Sequence, residues 1–286
     1  MKKFIIYFLV CYSIQVNAQN NTANQKKIYI TTDIWQQNST KVAHSICKAI
    51  NRDHDKNNFI CEISPTTKPA MDNWLKLVQC DRYQQNTQDL NSMQAIMPLY
   101  IEKLSIITKG NSKKNIRNIL INPIKIAIDD DRAVDVIKFI SKALDISSQI
   151  STKKIMPEEY AAYLCSDKVD AIATITSHAN QDILNISKTC TFTISSINQP
   201  TLQSIVQKDN AYIATTISGG IYPGSPNDIG TLGIATVLMG SKELSEQVIN
   251  NTKDSITKNL PLVSKKHYTY LEKKVRDIKC PISQQN

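Results

Sequence analysis

Short β-branched runs and amphipathic stretches alternate along this chain, and the alternation restricts the folds open to it. The predicted strands are residues 27–31, 59–63, 74–78, 104–108, 124–128, 171–175, 191–194 and 231–239. The predicted helices are residues 39–51, with Ser39 as N-cap, 131–144, 157–165, 181–187 and 241–260. Strands that alternate with helices predict an α/β chain with mostly parallel sheets.

Glycine is scarce and unevenly placed. The chain has seven glycines, and six of them lie between Gly219 and Gly240. Loops that cradle nucleotide phosphates need several glycines at a strand-to-helix turn, and neither G-x-G-x-x-G nor G-x-x-x-x-G-K-[ST] occurs. The sequence therefore argues against a nucleotide-binding enzyme of either type.

The N-terminus has the pattern of an export signal. A two-lysine start precedes an apolar stretch at residues 4–10, and residues 16–18 are small or modest in size, as signal peptidase requires. We expect residues 1–18 to be a signal peptide and the mature protein to be periplasmic. The alternatives are a membrane anchor and a lipoprotein attached through Cys11. No later apolar run approaches the ~20 residues of a membrane helix, which excludes a polytopic membrane protein.

Charge and motif content exclude several functions. Removal of residues 1–18 lowers the formal charge from +9 to +7, since they contain two lysines and no acidic residue, and the remaining charge is spread along the chain. No nucleic-acid partner is expected, because such proteins concentrate basic residues. The four histidines are far apart and no C-x-x-C occurs, so we expect no metal site and no cofactor. Without G-x-S-x-G, H-E-x-x-H or a recognisable Cys–His pair, no enzyme is expected.

Six cysteines remain after removal of the signal peptide, and export makes disulfides the expected chemistry. They are Cys47, Cys61, Cys80, Cys165, Cys190 and Cys280. Six cysteines allow many pairings, so spacing alone leaves the connectivity open. A Cys47–Cys61 bridge would join a helix to the next strand, and a Cys165–Cys190 bridge would do the same in the second half of the chain.

Several motifs in the second half of the chain occur in a distinctive order. They are residues 164–171 (LCSDKVDA), 176–180 (TSHAN), 188–190 (KTC), 216–224 (TISGGIYPG) and 231–234 (TLGI). In this order, residues 160–259 resemble the TAXI solute receptors, the extracytoplasmic binding proteins of one branch of TRAP transporters. A weaker, collinear similarity involves residues 46–51 (ICKAIN), 60–62 (ICE) and 78–83 (VQCDRY), so the resemblance covers most of the mature chain.

The resemblance implies a type II periplasmic-binding-protein fold, in which two α/β lobes close on a ligand in the cleft between them. The strand–helix order also repeats coarsely in the two halves of the chain, which suggests two lobes. We expect residues 27–122 plus 214–286 to form lobe I and residues 123–213 to form lobe II, with the C-terminal helix returning to lobe I.

The resemblance also bears on the cysteines. It supports disulfides between Cys47 and Cys61 and between Cys165 and Cys190. Cys80 and Cys280 are then left over, and whether they pair stays open.

Three cleft loops depart from the family pattern. Residues 31–40 (TTDIWQQNST), 64–67 (SPTT) and 129–132 (DDDR) stand where the family has glycine-rich loops. Glycine lets backbone amides approach a ligand closely. The loss of these glycines bears on the family's ligand and leaves the predicted fold unaffected.

The candidate ligand-binding residues lie in these loops or after predicted strands, where the ligands of α/β lobes bind. They are Thr32, Trp35, Ser39, Thr40, Thr66, Asp81, Arg82, Asp130, Arg132, Thr174 and His178.

Four structural alternatives stay open among these residues. Asp130, or its neighbour Asp129, caps the helix that follows it. Asp81 and Arg82 form a salt bridge with each other or have only a surface role. His178 only turns the chain after a strand, and Trp35 is a core aromatic.

The two arginines suggest the ligand. Arg132 would approach it from lobe II and Arg82 from lobe I, and the planar arginine fork binds carboxylates with two bonds. Asp81 or Asp130 would then take an amino group. We expect a glutamate-like amino acid or a carboxylate, with an α-amino acid carrying a carboxylate or amide side chain preferred over a plain dicarboxylate. As a surface arginine, Arg132 is expected to contribute little to stability.

The sequence thus predicts a periplasmic solute-binding receptor of a TRAP-type (TAXI) transport system. It would bind a small amino acid or organic acid and deliver it to TRAP membrane permease subunits. The alternative is a divergent exported scaffold without an uptake role, acting as an antigen or interaction protein. The altered cleft loops favour the scaffold, and the retained residues 160–259 favour the receptor.

Overall fold

Ten strands form one mixed sheet in the part of the chain that the structure describes. The structure is a computed structural model, and it describes residues 26–31, 37–64, 73–83, 92–110, 115–147 and 149–263. The strands are β1 (Lys26–Thr31), β2 (Phe59–Ile63), β3 (Trp74–Gln79), β4 (Met93–Lys109), β5 (Ile124–Ile128), β6 (Ile150–Lys154), β7 (Ala171–Thr176), β8 (Phe192–Ile194), β9 (Tyr212–Ile217) and β10 (Ile229–Ser241).

Helices connect most of these strands. They are α1 (Gln37–Asn51), α2 (His54–Asn57), α3 (Cys80–Tyr83), α4 (Ile116–Leu120), α5 (Asp131–Ala143), α6 (Tyr160–Leu164), α7 (Gln181–Ile186), α8 (Gln199–Val206) and α9 (Glu246–Val263). Several helices begin where a short polar side chain satisfies their first N–H groups. Asp130 caps α5, Asn180 caps α7 and Asn198 caps α8.

The strand order of the sheet is β2-β1-β3-β10-β4-β7-β5-β6, with β8 paired to β4 and β9 paired to β10. β1 runs parallel to β2 and β3, and β5 runs parallel to β6 and β7. β4 and β10 pair antiparallel with each other and with their outer neighbours. The prediction of mostly parallel sheets is therefore right for the two three-stranded units and wrong for the two long strands that join them.

Most of the predicted elements are present, with differences in length. β4 has 17 residues, although only residues 104–108 were expected to be extended. α1 begins at Gln37, so Ser39 lies in its first turn and is not its N-cap. Residue 241, the expected start of the last helix, ends β10 instead. β6, β9, α4 and α8 were not predicted.

Two large hydrophobic clusters lie on the sheet. The first includes residues of α1, β1, β2 and α9, with Ile28, Ile46, Phe59 and Ile256 at its centre. The second includes residues of α4, β5, α5, β7 and α8, together with Leu104 and Ile106 of β4. Leu104, Ile106, Ile116, Ile119 and Leu120 pack in the second cluster, as do Leu232 and Ile234 of β10. The predicted division into lobes stays a prediction.

Long-range contacts attach the last described helix to the first one. α9 packs against α1, and Asn259 Nδ2 donates to the carbonyl oxygen of Ala49 at 3.1 Å and to Asp53 Oδ2 at 2.9 Å. None of the helices in the described residues is long and apolar enough to cross a membrane.

Both disulfides supported by the family resemblance are present. Cys47 of α1 is bonded to Cys61 of β2, and Cys165 after α6 is bonded to Cys190 before β8. The first bond ties α1 to β2, and the second ties the end of α6 to the segment just before β8. Cys80 is also disulfide-bonded, to a cysteine outside the described residues.

Candidate functional site

Polar side chains from both units of the sheet meet where the parallel strands end. Gln79 closes β3, Asp129 follows β5, Thr174 lies near the end of β7, and Glu102 lies in the middle of β4. With three further residues they form what we call the polar cluster. Its members are Gln79, Asp81, Glu102, Asp129, Asp130, Arg132 and Thr174. Ligands of open α/β sheets bind at this edge, outside the carboxyl ends of the strands.

The guanidinium of Arg132 forms the centre of the polar cluster. Its Nε donates to Asp130 Oδ2 at 2.7 Å, and its Nη1 donates to Glu102 Oε2 at 3.3 Å. The arginine side chain is 6% exposed and the glutamate side chain 9%. The expectation that Arg132 is a surface arginine is therefore wrong. Its charge is balanced by two carboxylates of the chain itself.

Asp130 has two roles at the start of α5. Its Oδ1 accepts a hydrogen bond from the backbone N–H of Arg132 at 2.9 Å, and its Oδ2 binds the same residue's guanidinium. The structural alternative, in which this aspartate caps the helix, is thus present. Asp130 holds the Arg132 side chain in place while it satisfies the helix N-terminus.

Burial and the neighbouring charges shift the pKa values of both Glu102 and Arg132. Burial raises the pKa of Glu102 above its ordinary value, although the Arg132 guanidinium and the Gln79 amide both favour its charged form. Gln79 Nε2 donates to Glu102 Oε2. Burial alone lowers the pKa of Arg132, but the nearby carboxylates of Glu102 and Asp130 raise it above its ordinary value. The guanidinium therefore remains charged at every physiological pH.

Asp129 supplies a second carboxylate at the same edge. Thr174 Oγ1 donates to Asp129 Oδ2 at 3.0 Å, across the neighbouring strands β5 and β7. Burial raises the pKa of Asp129, opposed by the hydroxyls of Tyr160 and Thr174. The other carboxylate oxygen, Oδ1, is buried and accepts no hydrogen bond within the described residues. The Tyr160 hydroxyl is the nearby group that most favours the charged form of this carboxylate.

His178 lies beside the cluster but is held by the protein. Its Nδ1 is 2.6 Å from the Tyr222 hydroxyl and its Nε2 is 3.2 Å from Ser105 Oγ. Burial lowers the pKa of His178 to about 3, so the imidazole is neutral at physiological pH. Ser105 is fully buried. These contacts agree with the structural alternative for His178, and its role as a ligand-binding residue stays a prediction.

The structure brings together only part of the predicted site. Asp130, Arg132 and Thr174 lie in the polar cluster, and Asp81 is close enough to influence both Glu102 and Arg132 electrostatically. Thr40 is half-buried in α1. The remaining candidates divide into two groups. Thr32, Trp35 and Thr66 lie outside the described residues, and Ser39 and Arg82 lie in helices whose side chains at these positions are not described.

Three residues of this region were missed by the sequence analysis. Glu102 lies in a part of β4 that was not predicted to be a strand, and nothing in its local sequence marks it. Gln79 lies in the VQCDRY motif and could have been selected on that basis. Tyr160 is buried at the start of α6 with its hydroxyl beside Asp129, and burial raises its pKa.

Within the described ranges, no group of three or more His, Cys, Asp or Glu side chains is placed to hold a metal ion. The polar cluster contains four carboxylates and one guanidinium. These groups form hydrogen bonds and ion pairs with one another.

Comparison with solved structures identifies the fold. The chain is similar to a TctC solute-binding protein from Polaromonas, with a TM-score of 0.54 and 9% identity over 84% of this chain and 85% of that one. It is also similar to the ligand-binding component of an ABC-type import system from Staphylococcus aureus, with a TM-score of 0.44 and 12% identity over 81% and 74%. A TRAP periplasmic solute-binding protein from Escherichia fergusonii is similar with a TM-score of 0.42 and 8% identity, over 84% of this chain and 82% of that one. The fold is the predicted α/β periplasmic-binding-protein fold.

Sequence comparison identifies the family. No curated protein matches the sequence significantly. Residues 76–279, most of the mature chain, match the model of the NMT1-like family. The expected TAXI subfamily stays a prediction, because this match does not distinguish it. The chain belongs to the NMT1-like family.

Proposed function

We propose that this protein is an exported solute-binding receptor that delivers a small polar molecule to a membrane permease. The observation that carries the proposal is the polar cluster, which lies at the carboxyl ends of strands from both units of the sheet. Ligands of α/β folds bind at this position. The Polaromonas protein that shares the fold is itself a solute-binding protein, which favours binding over catalysis.

The charges of the polar cluster favour an amino-acid-like ligand. Arg132 is already bonded to Glu102 and Asp130, so a ligand carboxylate would have to compete with them. Asp129 retains one carboxylate oxygen without a hydrogen bond. A ligand amino group would satisfy this oxygen, whereas a bare dicarboxylate would be repelled by the surrounding acids. An α-amino acid is therefore preferred over a dicarboxylate of the same length.

The transporter type is assigned from the sequence motifs. Residues 164–171 and 216–224 resemble the TAXI receptors, and on this basis the permease partner would be of the TRAP type. Residues 1–18 would direct the protein to the periplasm before their removal. Both assignments rest on the sequence: the permease type on the two motifs, and the periplasmic location on residues 1–18, which lie outside the described residues.

A thermal-shift screen tests the proposed function. The mature protein is incubated with each proteinogenic amino acid and with succinate, glutarate and malate. A ligand at a hundredfold excess over its Kd stabilises the fold by about 2.7 kcal/mol, which raises Tm by several degrees. We expect at least one amino acid to raise Tm and its deaminated analogue to raise it less. If no compound raises Tm, the receptor function is contradicted.

One observation favours the alternative of a scaffold without an uptake role. The buried arginine of the cleft is neutralised inside the chain, and the glycine-rich cleft loops of the TAXI family are replaced. A chain that has lost its ligand could retain the fold for interactions at its surface. The screen separates the two functions, because a scaffold of this kind would bind none of the compounds.

A further inference from the structure

A groove separate from the polar cluster lies near the point along β4 where pairing with β10 ends and pairing with β8 begins. β10 pairs with β4 as far as Lys103, and β8 pairs with it from Ile107 onward. The groove at this junction has a volume of about 340 Å³, at the lower end of the range for small-molecule sites. None of the residues that line it belongs to the polar cluster.

The polar lining of this groove is neutral except for one carboxylate. The lining residues whose side chains can form hydrogen bonds are Asn115, Thr193, Ser196, Asn198, Ser225, Asn227 and Asp228. Within the described part of the chain, no lysine or arginine side chain lines it, and Ile194 and Ile229 supply an apolar wall. An anionic ligand would therefore find no cationic side chain in this lining and would be repelled by Asp228.

Two of the three asparagines that line the groove, Asn115 and Asn198, cap helices. Asn115 Oδ1 accepts from the backbone N–H of Arg117 at 3.0 Å, and Asn198 Oδ1 accepts from that of Thr201 at 2.9 Å. Because each amide oxygen is used in capping a helix, the amide NH₂ group is the part left for a ligand. Each asparagine can thus donate to an oxygen atom without disturbing its cap.

Ser225 is the strongest sign that the groove is incomplete without a ligand. It is 6% exposed, lines the groove, and has a buried Oγ with no hydrogen-bond partner among the described residues. Its backbone is fixed on both sides, by Ser225 N donating to Tyr222 O at 3.1 Å and Gly220 N donating to Ser225 O at 2.8 Å. A buried hydroxyl without a partner is destabilising, and a bound hydroxyl group would satisfy it.

Asp228 and Thr193 supply acceptors. Asp228 Oδ1 accepts from Gly219 N at 2.8 Å, which leaves its second oxygen for a ligand. Thr193 donates its hydroxyl proton to Gly110 O at 2.7 Å, so its oxygen can only accept. The lining of this small groove therefore contains both donors and acceptors beside an apolar wall.

We propose that this groove is a second binding site, for a small neutral molecule rich in hydroxyl groups, such as a monosaccharide or polyol. A hydroxyl group both donates and accepts, so it matches amide donors, a carboxylate acceptor and the Ser225 hydroxyl at once. The carbon skeleton of such a molecule would rest against Ile194 and Ile229.

Titration calorimetry of the mature protein with D-glucose, D-galactose, D-ribose and myo-inositol tests this site. We expect at least one probe to bind with a millimolar or lower Kd. Ser225→Ala should weaken that binding about fivefold, the loss expected for one neutral hydrogen bond, without lowering Tm. Asn198→Asp keeps the capping oxygen and removes the donors, so it should weaken binding more strongly while α8 stays intact.

Two results would overturn the second site. One is the failure of all four probes to bind at millimolar concentrations. The other is binding that is unaffected by Ser225→Ala and Asn198→Asp but weakened by Asp129→Asn, which would place the sugar in the polar cluster. That second result would leave the proposed receptor function standing, so the two proposals fail separately.

Discussion

Arg132 and Glu102 form a buried ion pair that links the start of α5 to the middle of β4, with Nη1 and Oε2 3.3 Å apart. β4 is one of the two strands that join the parallel units of the sheet, and α5 belongs to the second unit. Gln79, at the end of β3 in the first unit, donates to the same glutamate oxygen. The pair thus connects both units at the edge where the fold binds ligands.

The first prediction concerns the stability contributed by this pair. Arg132→Ala should lower the free energy of unfolding by about 3–5 kcal/mol, because it leaves the Glu102 carboxylate buried without its counter-charge. Urea-induced unfolding followed by circular dichroism measures the change.

The control for this prediction lies at the same helix end. Lys154 binds Asp131 at 3.1 Å on the surface, with both side chains more than half exposed. Lys154→Ala should cost less than ~1 kcal/mol, as exposed ion pairs do. Equal effects of the two substitutions would contradict the buried pair described here.

A second prediction concerns the pH dependence of stability. Burial lowers the pKa of His178 to about 3 from 6.5, so the unfolded state binds the proton more readily than the folded state. The contribution of His178 is therefore fully present above pH 6.5 and is lost as the pH falls toward 3. The loss amounts to about 1.4 kcal/mol per pH unit across this window.

A non-titrating substitution isolates the effect of His178. His178→Gln should show a weaker fall in unfolding free energy between pH 7 and pH 5 than the wild type. Carboxylates such as Asp129 titrate in both proteins and cancel in the difference. If His178→Gln retains the wild-type dependence, the histidine is protonated in the folded protein.

A third prediction concerns the disulfides. Non-reducing peptide mapping of the mature protein should recover Cys47 linked to Cys61 and Cys165 linked to Cys190. A third cross-linked peptide should contain Cys80, and Cys280 is the cysteine left to be its partner. Replacing Cys165 and Cys190 together by alanine should cost roughly 3 kcal/mol, the range for a loop of 25 residues. Free thiols at the first four positions would contradict both the fold and the expected compartment.

The strand–helix alternation was predictable because each unit buries one face of every helix against apolar strands. The joining strands were harder to predict. Residues Glu102 and Lys103 interrupt the apolar pattern of β4, so periodicity recovers only its last part. β6 is an edge strand whose exposed residues are polar, and it carries little hydrophobic signal.

Gly219 and Gly230 occupy positions where a Cβ atom would collide with backbone atoms of Asn227 and Ile197, which explains part of the glycine cluster.

Only those features of the polar cluster that depend on residues adjacent in sequence could be predicted. Asp130 precedes an amphipathic helix, and its capping role follows from that position. The partner of Arg132 is Glu102, 30 residues earlier in sequence, and only the sheet topology brings the two together. An arginine after three aspartates has the sequence pattern of a surface residue. Its burial depends on a partner that no local pattern reveals.

The most direct test of the proposed receptor is titration calorimetry with the amino acid that gives the largest thermal shift. Asp129→Asn should weaken its binding about tenfold or more, since a hydrogen bond to a charged group contributes about 1.5–3 kcal/mol. Asp131→Asn, an exposed neighbour in the same loop, should bind like the wild type. Equal affinity of all three proteins would contradict a ligand site at the polar cluster, and a selective loss in Asp129→Asn would support it.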